Sequence, residues 1–186
     1  MARPKQIITD LEHLVYTNKY VRVYDNQVTF PNNVKGRYLK FDWTAPYSVG
    51  VLPVLEDGRL YLVRSFRYAS DEISIEIPKG YGSEGVAPAD VAIRELGEET
   101  GLSSNNLRHL ASLQTDAAIM NHLTHLFEAR GCRPAFTSRP EETEVFESPI
   151  IVAPDEAIAL VRSNTITDSV TVNALLFFYC SIFYDK

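Results

Sequence analysis

The chain has 186 residues, 45% of them hydrophobic, two cysteines and a formal net charge of −6. That length supports one domain with a proper core, and the acidic balance argues against non-specific binding of long nucleic acid, which needs a basic face. Cys132 and Cys180 stand far apart and make neither a disulfide framework nor a zinc site; with no apolar signal stretch in Met1 to Asp10, a reduced cytoplasmic setting is the default expectation.

Up to about Trp43 the chain alternates in the manner of strands. Tyr20 to Tyr24 and Gln27 to Phe30 flank Asp25-Asn26, Pro31-Asn32-Asn33 breaks the run, and Gly36 to Phe41 resumes it. This predicts short antiparallel strands joined by turns. Roughly forty residues of this kind do not hold together alone without disulfides or metal, so they pack on the rest of the chain or on a second subunit.

Ser48 to Leu55 and Arg59 to Phe66 are apolar runs around Glu56-Asp57-Gly58, a hairpin signal. Ile73 to Ile77 reads as a further strand, stopped by Pro78 and Gly80. Pro88 to Thr100 reads as a helix, with Pro88 in its first turn, Gly101 at its stop, and Val91, Ala92, Ile93 and Leu96 on its apolar side. Leu107 to Thr115, Leu123 to Ala129 and Glu144 to Val152 read as strands. Asp155 to Ser163 and Asp168 to Tyr184 read as helices, although Val170, Thr171 and Val172 also favour a strand. The most apolar run, Ala174 to Phe183, is shorter than the about 20 residues a bilayer span needs and is read as core. Irregular alternation of strands and helices gives an α+β or mixed α/β sandwich.

The helix from Pro88 carries the chemistry. In Arg94-Glu95-Leu96-Gly97-Glu98-Glu99-Thr100-Gly101-Leu102, three glutamates fall at i, i+3 and i+4 and point the same way. Like charges at that spacing cost a few tenths of a kcal/mol per pair, which a divalent cation relieves. Hard carboxylate oxygens suit Mg²⁺, which keeps positions for water and substrate phosphate. Three glutamates alone would read better as a solvated acidic face.

With Gly80 ahead of it, the string resembles the signature of the Nudix hydrolases: Gly, five residues, Glu, seven residues, Arg-Glu, an aliphatic, any residue, Glu-Glu, any residue, Gly, aliphatic. Gly80, Arg94, Glu95, Leu96, Glu98, Glu99, Gly101 and Leu102 fall on their places, while the first Glu of the pattern is Val86 here. The resemblance implies a mixed α/β/α sandwich over residues 46–186 and an N-terminal antiparallel β extension over residues 1–45. In the ADP-ribose and sugar-nucleotide pyrophosphatase branch, a similar extension packs across a homodimer. It implies a Mg²⁺-dependent (or Mn²⁺-dependent) pyrophosphohydrolase whose metal is held by Glu95, Glu98, Glu99 and the backbone carbonyl of Lys79. Arg94 would pair with a carboxylate and hold it in place.

The Lys79 side chain would also meet a phosphate. A general base is expected from Glu142 or Glu144, in the acidic stretch Arg139 to Glu144, or from Glu98 or Glu99. Arg67 and Glu76 look like part of a nucleoside-diphosphate-sugar site in that branch, either pairing with each other or touching substrate. Val86 can neither ligate metal nor accept a proton, and Glu84 would take over only if the loop rearranges. Many ADP-ribose enzymes carry Ser-Pro-Gly downstream, where this chain has Asp116-Ala117-Ala118. His122 and His125, three apart on a strand, face opposite sides and are read as packing or surface residues. Tyr47, Phe66, Tyr68 and Tyr81 are aromatic candidates for stacking on a base. Two rival readings stay open: a non-catalytic nucleotide-binding module, motivated by Val86, and a hydrolase of dinucleoside polyphosphates or capped RNA ends.

Overall fold

The computed structural model describes residues 6–135, 137–138 and 144–184. Four strands, β1 (Ile8–Leu11), β2 (Leu14–Thr17), β3 (Val21–Phe30) and β4 (Val34–Trp43), form an antiparallel N-terminal sheet. β4 pairs along the whole of β3, while β1 and β2 pair with its two halves. Asp25-Asn26 is not the break that its composition suggested, and β3 runs straight through it. Arg37 neutralises Asp25 from the neighbouring strand, and Asn26 Oδ1 accepts the His13 amide at 3.0 Å, so both polar side chains are satisfied within the sheet. Pro31–Asn33 makes the tight turn where a break was expected.

The second sheet holds eight strands. Its main path runs β10 (Asn106–Gln114), β11 (Leu123–Pro134), β5 (Ser48–Leu55), β6 (Leu60–Arg67) and β12 (Phe146–Val152). The shorter β7 (Glu72–Glu76), β8 (Lys79–Tyr81) and β9 (Leu102–Ser103) pair with β6, β5 and β11. The β11–β5 pairing is parallel and the rest are antiparallel, so the sheet is mixed.

The period-2 alternation of β5 assembles the layers. Val49 and Val51 turn to one face, where they pack with Val91, Ala92 and Leu96 of α1 (Pro88–Thr100). Leu52 and Val54 turn to the other, under α2 (Pro154–Arg162) and α3 (Ser169–Tyr184), with Ile166, Ala174, Leu175 and Phe178. The result is the expected α/β/α sandwich. Ile93 was expected on the apolar side of α1 but is 47% exposed, because it lies one position beyond the stripe that Val91, Ala92 and Leu96 define. Of the Ala174 run, Ala174, Leu175 and Phe178 pack in the core, while Leu176 and Phe177 are exposed. Among the described residues no helix is long and apolar enough to cross a membrane.

Candidate active site

Strand β8 delivers the site. Pairing with β5 places Lys79 opposite Gly50 and Gly80 opposite Val49, and the loop 82–87 then leads into α1. Pro88 opens that helix and Gly101 closes it in the left-handed conformation at φ 72°, donating its amide to the Gly97 carbonyl at 2.9 Å. Gly80 is required by close approach: a Cβ there would lie 2.1 Å from Glu95 Oε1. Strand and helix therefore press the Gly80 backbone against the Glu95 carboxylate.

The side chains at the i, i+3 and i+4 positions have different environments. Glu95 is buried and takes a 2.7 Å ion pair from Arg94. Glu98 is more open and takes a second bond from the same guanidinium at 3.1 Å. Glu99 is turned inward, where its Oε1 accepts the Lys79 amide at 3.1 Å. Burial pushes the Glu99 carboxyl up to about 8, helped by the charges of Glu144 and Glu95 and opposed by the Lys79 amide.

A cavity of about 560 Å³ opens beside this helix. Glu95, Glu98, Arg94 and Glu144 line one part of it, and Arg67, Lys79, Ser169 and Val170 another. Trp43, Tyr81, Thr115, Met120 and His122 are also in its wall. Beneath the cationic part lies Glu76, 2% exposed, bonded through Oε1 to Arg67 Nε at 2.9 Å and paired through Oε2 with Lys79 at 2.9 Å. Burial alone would raise the Glu76 carboxyl, but Arg67 and Lys79 outweigh it and hold it at about 2. Lys79 Nζ also donates to Asp168 Oδ1 at 2.6 Å. Asp168 in turn accepts the Thr171 amide at 2.9 Å, capping α3.

The structure thus brings Arg67, Lys79, Arg94, Glu95, Glu98 and Glu144 to one cavity. Glu99 and Glu76 lie behind its wall, each hydrogen-bonded to a residue that lines it. Glu142 lies outside the described residues. Of the aromatic candidates only Tyr81 lines the cavity; Tyr68 is 92% exposed, and Tyr47 and Phe66 are elsewhere. Glu84 lines a separate surface depression with Pro46 and Ser83, so it does not stand in for the missing carboxylate at Val86. The Val86 backbone carbonyl instead accepts the Tyr47 hydroxyl.

His125 lies on β11, whereas His122 sits just before that strand, where it is buried as a packing residue and also lines the cavity. Trp43, Met120, Thr115, Asp168 and the start of α3 were not singled out from sequence. Only Asp168, ahead of a helix, carried a local signal, and it was read as a helix start alone.

Among the described residues no group of three or more His, Cys, Asp or Glu side chains is already gathered to hold a metal ion. Arg94 spans Glu95 and Glu98, and Glu99 is tied to the Lys79 amide. The donor chemistry nevertheless fits a hard divalent cation. All three donors are carboxylates, and one is buried beside two like charges that disfavour its ionisation.

The NUDIX domain model matches residues 44–170, and the chain belongs to the NUDIX family. The ADP-ribose pyrophosphatase of Bacillus subtilis (strain 168) is 28% identical over 162 residues, 87% of this chain and 86% of that protein. The CMP-5'-(N-acetyl-N-hydroxy-3-aminopropyl)phosphonate hydrolase of Streptomyces rubellomurinus (strain ATCC 31215) is 28% identical over 167 residues, 89% of this chain and 78% of that protein. The crystal structure of an ADP compounds hydrolase shares the fold, with a TM-score of 0.83 at 19% identity over 96% of this chain and 95% of that one. The chain is thus a Nudix hydrolase acting on pyrophosphate bonds, as its sequence signature implied, and it is similar to hydrolases of the ADP-ribose branch.

Proposed function

We propose that this protein is a Mg²⁺-dependent pyrophosphohydrolase of ADP-ribose or a related sugar nucleotide, releasing a nucleoside monophosphate and a phosphorylated product. One observation carries the reading: an anionic wall (Glu95, Glu98, Glu144) and a cationic wall (Arg67, Lys79) share a single cavity. A diphosphate substrate and its transition state are anionic, so positioning and charge neutralisation dominate the rate.

Glu95, Glu98 and Glu99, with the Lys79 backbone carbonyl, would hold the cation. When bound, Mg²⁺ supplies charge neutralisation and lowers the pKa of a water, and Mn²⁺ would serve likewise. Arg67 spends part of its five-donor fork on Glu76 and presents the rest to a phosphate. Lys79 adds a point charge. Arg94 fixes the Glu95 and Glu98 carboxylates in place. Glu144 takes the proton from the attacking water as its oxygen bonds to phosphorus and the anhydride P–O bond breaks. Glu98, which Arg94 holds, is a second candidate for that role. Glu142 stays a candidate from the same acidic stretch. Two free cysteines suit a reducing cytoplasm. The exposed apolar side chains of β1 and β2 suit a homodimer built through residues 1–45.

Incubation with Mg²⁺ and a panel of nucleotide derivatives, with the products identified by anion-exchange chromatography, tests the reading. Turnover should be greatest for nucleoside diphosphate sugars, giving two monophosphates, and Glu98→Gln should lower it at least tenfold. Tight binding without turnover across the panel would leave only a nucleotide-binding module.

A further inference from the structure

Three rings of the cavity wall have no part in the diphosphate chemistry. Trp43, Tyr81 and His122 meet there in a ring triangle, with centroids 5.5 Å apart for Trp43–Tyr81 and 6.2 Å for each ring to His122. His122 is 7% exposed, and its Nε2 is buried with no hydrogen-bond partner. Leaving such an atom unpaired costs about 1–3 kcal/mol of desolvation, so a native protein that keeps one calls for a reason.

The segment that carries His122 is held with care. Tyr38 donates its hydroxyl to the Ala118 carbonyl at 2.6 Å, the Phe41 amide donates to the Ile119 carbonyl at 2.8 Å, and Trp43 Nε1 donates to the Met120 sulfur at 3.1 Å. Strand β4 thereby clamps residues 118–120 and sets the imidazole in the cavity wall. Burial keeps the imidazole below its usual range, with His125 adding to the effect, so the ring is neutral at pH 7.

We propose that His122 is a specificity-determining residue whose Nε2 hydrogen-bonds a hydroxyl on the substrate's second half, a sugar seated against Tyr81 and Trp43. This deepens the pyrophosphohydrolase reading and rests on it. A site built to pair with a substrate hydroxyl rejects the analogue that lacks one, because its own polar atom then stays orphaned. Met120, with three rotatable bonds, gives the ring-lined wall the small adjustment that seating a hydroxyl needs.

The test compares kcat/KM for ADP-ribose with that for the methyl ester of ADP, which keeps the diphosphate and offers no hydroxyl beyond it. The ratio is read within each protein, so a general loss of folded enzyme cancels. Wild type should favour ADP-ribose, His122→Phe should cut that preference about 10- to 100-fold, and His122→Gln should restore part of it. An unchanged preference in His122→Phe, or none in wild type, overturns the assignment to His122 while leaving hydrolysis intact. Turnover of neither compound by wild type, with other diphosphates also inert, sinks the pyrophosphohydrolase reading itself.

Discussion

Glu99 is where the site's electrostatics meet protein stability. Burial pushes its carboxyl up to about 8, against an ordinary value of 4.5. A raised folded value means that the folded chain holds a proton the unfolded chain has lost. The group's contribution to stability is therefore fully present below 4.5 and lost as pH rises through about 8. Metal-free protein should lose melting temperature across that window, and Mg²⁺ should restore it by favouring the ionised form. Glu99→Gln, neutral at every pH, should flatten the loss and remove the metal's effect, as differential scanning fluorimetry at pH 5 and pH 8 would read. Spacing together with the flanking Gly80, Arg94 and Gly101 singled out Glu95, Glu98 and Glu99, but this inward turn was not legible. The i, i+3, i+4 pattern sets a direction on the helix but not the depth of burial, which β8 and the Lys79 amide decide.

At the scale of elements, α1 was the most legible, because a proline start and a glycine stop are local signals. Its bounds came out at Pro88 and Thr100, as read. β1 and β2 fall within the stretch read as strand-like but were not picked out one by one, and every residue in both is exposed. β8 and β9 are too short to show a period. α3 was ambiguous through its β-branched start and is fixed by tertiary bonds. Thr171 Oγ1 accepts the Ile77 amide at 3.0 Å and donates to Asp168 at 2.7 Å. Asp168 therefore does two things, capping α3 and holding Lys79. Asp168→Ala should cost about 1 kcal/mol through the cap and raise KM by releasing Lys79. Asp168→Asn keeps an acceptor for the cap, so it should leave melting temperature near wild type while still raising KM. Equal melting losses with an unchanged KM in both variants would confine Asp168 to a structural role.

For the whole molecule, the unresolved sequence question of what covers the N-terminal sheet becomes a surface question. Ile8, Leu11, Leu14 and Tyr16 are 60%, 52%, 46% and 55% exposed, an apolar load that a lone chain rarely shows to water. Light scattering should report a dimer, and the double variant Ile8→Asp, Leu14→Asp should run as a monomer; a monomeric wild type would refute the homodimer. The cavity joins both sheets, since Trp43 ends β4 while Arg67, Lys79 and Tyr81 come from β6 and β8. That meeting is non-local, which is why Trp43 escaped a reading based on spacing and His122 was read only as a packing or surface residue.

The capture of a divalent cation by the α1 glutamates underlies all of this chemistry. Titrating Mn²⁺ into the protein with a non-hydrolysable nucleoside diphosphate, and following free ion by electron paramagnetic resonance, addresses it directly. Saturable binding in wild type that weakens at least tenfold in Glu99→Gln is the expected result. Equal Mn²⁺ uptake by both proteins, or none by wild type, would contradict it.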